Sequence, residues 1–138
     1  MKYPNITPAT FIDRPNRFIA RVDTGDQIET VHVKNTGRCK ELLVPGAVVY
    51  LTAPGSANRK TRYDLVTVKK GNRLINIDGQ APNKVVREWL EAQRFDNIQP
   101  EYTYGSSRID FYMEHRTFVY GVIATLAGIV GSIWKEKA

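Results

Sequence analysis

The sequence predicts an α+β chain: a small antiparallel β-barrel, most economically an OB-fold, over residues 1–80, then the start of a helix-bearing unit. Three observations carry this reading. Residues 10–78 hold about five short apolar runs, with turn signals every 8–12 residues. Just beyond Pro82 that alternation gives way to a helical stripe. The surplus of positive charge lies wholly before the change. Residues 1–80 carry 13 Lys/Arg against 7 Asp/Glu, and residues 81–138 carry 7 of each. A basic half beside a neutral half suggests a polyanion-binding module joined to something else.

Thr10–Val22 (TFIDRPNRFIARV) reads as two short strands, or one strand broken at a bulge, because Pro15 cannot donate to a ladder. Thr24-Gly25-Asp26 is a turn. Ile28–Val33 alternates and reads as a strand. Asn35-Thr36-Gly37 opens a loop, and Pro45-Gly46 marks a turn into the strand Ala47–Leu51. Ala53–Arg59 is a polar turn. Tyr63–Lys69 and Arg73–Ile77 are strands joined at Lys70–Asn72. A domain boundary is expected near Asp78–Pro82. Beyond it, Val85, Val86, Trp89 and Leu90 form one apolar stripe over Lys84–Phe95, with Asn83 as the expected N-cap. Tyr102–Tyr104 and Ile109–Met113 read as strands. Divided at these points, the chain has a barrel over 1–80, the start of a second domain over 81–120 and an aberrant apolar tail over 121–138.

The 138 residues suffice for one ordinary domain or two very small ones. Cys39 is the only cysteine and there are two histidines, which excludes an intrachain disulfide framework and a Cys-based zinc site. With no apolar signal run in the first 21 residues, the expected compartment is reducing and cytoplasmic. Thr117–Trp134 is an 18-residue run without charge. It just meets the length of a membrane span. Three glycines weaken that reading against a buried strand pair or an unpacked tail, so a membrane partner is not expected.

Three clusters carry candidate chemistry. In Asn35–Leu43 (NTGRCKELL), Asn35 and Thr36 can cap backbone amides, and Arg38 and Lys40 lie within reach of a phosphate. In Asn58–Arg62, Arg59, Lys60 and Arg62 stand beside Tyr63, which suits phosphate contact with base stacking. Arg14, Arg17 and Arg21 can add to that face. The third cluster is Tyr104–Phe111, with Glu101 upstream. Asp110, between Ile109 and Phe111, needs a cation or a metal if half-buried. Glu101 and Asp110 can converge on a hard divalent ion; the alternative is a structural ion pair of Asp110 with Arg108 or a lysine.

Six stretches, in order, resemble the sugar fermentation stimulation protein family: Phe11–Val22, His32–Leu43, Val44–Leu51, Arg59–Asp64, Asn76–Asn83 and Tyr104–Phe111. Lys34 stands where the family pattern has Pro. The resemblance implies a nucleic-acid-binding OB-fold followed by a nuclease domain of the PD-(D/E)XK class. In that class a strand Asp and a following Glu-x-Lys hold Mg²⁺ or Mn²⁺ and activate water for phosphodiester attack. Asp110 matches the strand Asp and Glu101 the upstream Glu, so both would be the catalytic and metal-holding carboxylates. The Glu-x-Lys is absent: from Tyr120 onward the only acid is Glu136, followed two residues later by Ala138. A frameshift or early stop near codon 121 is therefore expected, with a nuclease half unable to cleave. The resulting expectation is a nucleic-acid-binding protein, DNA ahead of RNA, with Arg17, Asn35, Arg38, Lys40, Arg59, Lys60, Arg62 and Arg108 as contacts. An active Mg²⁺/Mn²⁺ nuclease and a membrane-anchored barrel are the alternatives. No sugar site is expected, and association of copies is left open.

Overall fold

A computed structural model describes residues 1–55, 58–115, 118–125 and 128–136, which fall into two compact units, Lys2–Gly79 and Gln80 onward. The first contains β1 (Ile6–Asp13), β2 (Ile19–Asp23), β3 (Ile28–Val33), β4 (Val48–Thr52), β5 (Asp64–Lys70) and β6 (Arg73–Asn76). β1 to β5 close on themselves in the circular order β1-β2-β3-β5-β4, with β6 hydrogen-bonded to β5. The closing pair, β3 with β5, is parallel and places His32 opposite Asp64. Closure removes the unpaired edges that a five-stranded open sheet would present. Alternate residues of the strands point inward, and a register shift at Val66 of β5 resets the alternation, so Phe11, Val22, Val31, Leu51, Leu65 and Val68 share one buried core.

Two irregularities shape the end of the barrel that matters below. Register slips by one between Phe11 and Asp13, which makes Ile12 the extra residue of a β-bulge. Pro15 then separates β1 from β2, giving two strands where the sequence left one broken strand open. Beside the loop after β3, the Gly79 N–H donates to the Lys34 carbonyl at 3.0 Å. A Cβ on Gly79 would stand 2.7 Å from that oxygen, so only glycine permits the approach.

The second unit holds α1 (Ala81–Glu91) and an antiparallel meander of β7 (Asn97–Tyr104), β8 (Ser107–His115), β9 (Phe118–Thr125) and β10 (Gly128–Glu136). Val86 and Leu90 of α1 pack in one core with Phe111 and Met113 of β8. Phe111 has 2% of its surface exposed. Trp89, on the same helix as Val86 and Leu90, is 50% exposed.

One expectation is corrected here, and one pair of alternatives is resolved. Asn83 is not the N-cap: Gln80 occupies that position, and the helix starts early because Pro82 fits its first turn. The apolar segment 121–138 is not a loose tail where it is described. It forms most of β9 and all of β10, paired from Phe118↔Glu136 to Thr125↔Gly128. Its β-branched residues and spaced glycines suit paired strands better than a helix. Residues 126–127 and 137–138 of that segment lie outside the described residues. No helix among the described residues is long and apolar enough to cross a membrane.

Candidate nucleic-acid interface

Arg14 organises the basic end of the barrel. One guanidinium nitrogen donates to the carbonyls of Gly37 at 2.6 Å and Arg38 at 3.0 Å. The other donates to the carbonyls of Arg17 at 2.7 Å and Asn35. Three of these hydrogen bonds tie the β1–β2 turn to the loop after β3, and the fourth, to Arg17, closes the turn on itself. The planar fork of arginine makes this possible; lysine has no such fan of donors. Asn35 completes the loop. Its side-chain oxygen accepts from Gly37 N–H at 2.8 Å, and its amide donates to the Ile77 carbonyl at 2.9 Å. Asn35 therefore caps a backbone amide as expected, and its side chain is committed to shaping the loop.

These ties build an open pocket of about 500 Å³ whose lining includes Ile12, Arg14, Arg17, Arg38, Lys40 and Pro45. Arg17, Arg38 and Lys40 are exposed. Arg38 and Lys40, read from one loop, thus share a mouth with Arg17, which lines this pocket and not the one at Lys60 and Arg62 where the sequence reading had put Arg14 and Arg17. Asp13 also lines it, but Arg21 hydrogen-bonds that carboxylate and holds it below its ordinary range. Beside the pocket, the Arg17 guanidinium lies 5.2 Å from the ring centroid of half-exposed Phe18.

The second basic cluster divides. Lys60 and Arg62 are exposed and line an open pocket of about 440 Å³ with Asn5 and Thr61. The Arg62 guanidinium lies 5.1 Å from the Tyr63 ring centroid, the cation–aromatic neighbourhood read from the sequence. Arg59 lines the same pocket, but its guanidinium pairs with Asp64, which is 1% exposed. Lys34 Nζ also stands 3.2 Å from Asp64, and His32 Nδ1 stands 3.6 Å away. A buried carboxylate needs such compensation. Sequence reading missed Asp64; the signal was an acid opening the apolar run Asp64–Val68 directly after a cationic loop. Arg14 was noted only as an extra cation. Its position just before Pro15, where the backbone must turn, was the available clue to an organising role.

Glu101 and Asp110 are brought close in register. The flanking pairs Pro100↔Phe111 and Tyr102↔Ile109 place them opposite one another on β7 and β8. Their side chains have different partners. Asp110 accepts from Ala124 N–H at 2.7 Å and from the Asn83 amide at 3.4 Å. Glu101 adopts φ +54° and lies in the open, 3.4 Å from the Arg108 guanidinium, so Arg108 pairs with Glu101 instead of Asp110. The next strand, β9, reads FVYGVIAT and brings neither carboxylate nor lysine. Among the described residues no three His, Cys, Asp or Glu side chains gather. One half-buried carboxylate already serving two donors, with one exposed carboxylate held by arginine, does not fit a resident Mg²⁺ or Mn²⁺.

Comparison with known proteins agrees with the barrel geometry. Residues 12–77 match the family model of the SfsA N-terminal OB domain. Over 117 residues the chain is 56% identical to a sugar fermentation stimulation protein homolog of Desulfitobacterium hafniense strain DCB-2, covering 83% of this chain and 51% of that one. A homolog from Ruminiclostridium cellulolyticum is 52% identical over 118 residues, with 83% and 52% covered. The structure of Pyrococcus furiosus SfsA in complex with Ca²⁺ superposes with a TM-score of 0.67 at 32% identity, covering 83% of this chain and 51% of that one. The chain spans about half the length of the curated relatives it matches.

Proposed function

Since the chain belongs to the sugar fermentation stimulation protein family, we propose that its OB barrel binds nucleic acid, DNA ahead of RNA, by gripping the phosphate backbone. The observation that carries this reading is the convergence of Arg17, Arg38 and Lys40 at one pocket mouth, on loops pinned by Arg14. Exposed cations on a fixed frame neutralise phosphates and release counterions, a contribution that falls with salt. Lys60 and Arg62 extend the cationic surface, and Phe18 and Tyr63 offer aromatic faces beside it. Arg59 and Asn35 support this surface from within the fold; they do not contact the phosphates. Arg108 contributes nothing to the grip while Glu101 holds it. The proposed action is binding without cleavage, because β9 supplies no charged partner for Asp110.

Fluorescence anisotropy with a labelled single-stranded DNA across a salt series tests the proposal. Tight binding at low salt that weakens steeply as salt rises is expected. An affinity indifferent to salt, or none at low salt, contradicts it. Incubation of the same DNA with Mn²⁺ is expected to leave it intact.

A further inference from the structure

The pocket at Arg14 has features that a simple phosphate-gripping surface does not need. The first is an uncompensated charge. All four terminal N–H groups of Arg14 that hydrogen-bond do so to neutral carbonyls, and no carboxylate pairs with it among the described residues. Its fifth donor, Nε–H, is buried without an acceptor. A buried donor in that state is costly and asks for an explanation. The second feature is the floor. The pocket is lined with apolar groups as well as cations: Phe11 and Leu43 line it as buried members of the barrel core, and Ile12, at the β-bulge, and exposed Pro45 offer the more accessible apolar surface. The third is the combination of size and lining: about 500 Å³ is within the range of small-molecule sites, and unlike the pocket of about 440 Å³ at Lys60 and Arg62 this one is lined by Phe11, Ile12, Leu43 and Pro45.

We infer that this pocket is a nucleoside monophosphate site. The phosphate stands among Arg17, Arg38 and Lys40 in the positive field of Arg14, and the sugar and base cover the apolar floor. This deepens the proposed function and rests on it for choosing nucleotides over other anions. Such a ligand can come from two sources, a free nucleotide or one residue splayed out of a single strand. A paired and stacked duplex keeps its bases from the floor and presents only phosphates to the rim. Asp13 does not oppose the anion strongly, because Arg21 neutralises it.

The test uses the full chain and three probes: thymidine 5′-monophosphate, thymidine and inorganic phosphate, titrated by calorimetry. The nucleotide is expected to bind at least about tenfold more tightly than either part alone. Ile12→Ser is expected to weaken the nucleotide about tenfold while leaving inorganic phosphate unchanged. Arg38→Glu is expected to weaken both. A nucleotide that binds no better than inorganic phosphate overturns the inference, and the wild-type series decides this even if Ile12→Ser fails to fold. Competition then identifies the source. Displacement of the nucleotide by single-stranded oligothymidine, but not by a duplex of equal phosphate content, assigns a strand residue. Displacement by neither assigns a free nucleotide, and equal displacement by both contradicts the apolar floor. Salt-dependent DNA binding without nucleotide binding removes this inference alone. Nucleotide binding without DNA binding removes the proposed function and leaves the pocket standing.

Discussion

Each unit carries an aspartate on a strand between apolar neighbours, Asp64 in the barrel and Asp110 in the meander, and the two folds treat them differently. Parallel pairing of β3 with β5 brings His32 opposite Asp64, and Lys34 and Arg59 close over it. Among the described residues Asp110 meets neutral donors only, Ala124 N–H and the Asn83 amide. The local sequence around both is similar: Tyr63 and Leu65 flank one, Ile109 and Phe111 the other. A strand acid between apolar residues therefore says that a partner is required, but not which. Residues distant in sequence decide that. In the barrel they supply cations and make the acid a structural keystone. In the meander they supply amides.

Removal of each carboxylate sharpens the contrast. Asp64→Ala leaves Arg59 and Lys34 half-buried around a void, and a loss of about 3–5 kcal/mol is expected in urea unfolding. Asp110→Ala leaves one backbone N–H and one amide without an acceptor, and about 1–3 kcal/mol is expected. Equal losses would break the distinction between a charge-compensated and an amide-satisfied acid.

The sequence made most of the barrel legible. Turn residues at Gly25, Pro45-Gly46 and Lys70–Asn72 delimit strands whose alternation sets one inward face. Closure was not legible, since the β3–β5 pairing joins segments about thirty residues apart. For the interface, charge found Arg17, Arg38 and Lys40, all exposed at the pocket. Charge could not separate them from Arg59, because an arginine that binds phosphate and one that neutralises a buried acid look alike until the fold places Asp64. Asn83 shows the same limit at a helix start: Asn suits an N-cap, but Pro82 is tolerated only in the first turn, which shifts the cap back to Gln80. The uncharged run after Tyr120 was hardest to read, because its length suits a span and its glycines and β-branched residues suit strands.

A smaller effect separates the units by titration. The Tyr112 hydroxyl donates to the Glu114 carboxylate at 2.6 Å, which pushes its pKa up to about 12. This hydrogen bond stabilises the fold fully below pH 10, the ordinary tyrosine value, and is lost as pH rises through about 12. Ultraviolet absorbance of tyrosinate should show one residue ionising near pH 12, and Glu114→Gln should return it toward 10. An unchanged midpoint would remove Glu114 as the cause. Tyr3, in the barrel, is raised first by burial and so should not respond to that substitution.

Arg17, Arg38 and Lys40 are proposed to act together as phosphate contacts. The most direct measurement is the salt dependence of single-stranded DNA binding by the natural chain and by the combined Arg17→Ala, Arg38→Ala, Lys40→Ala variant. All three side chains are exposed, so stability should change by no more than about 0.5 kcal/mol per substitution. The slope of log affinity against log salt should become shallower by about 2, three contacts at roughly 0.7 each. A folded variant that keeps the slope of the natural chain would contradict the account and move the nucleic-acid surface elsewhere.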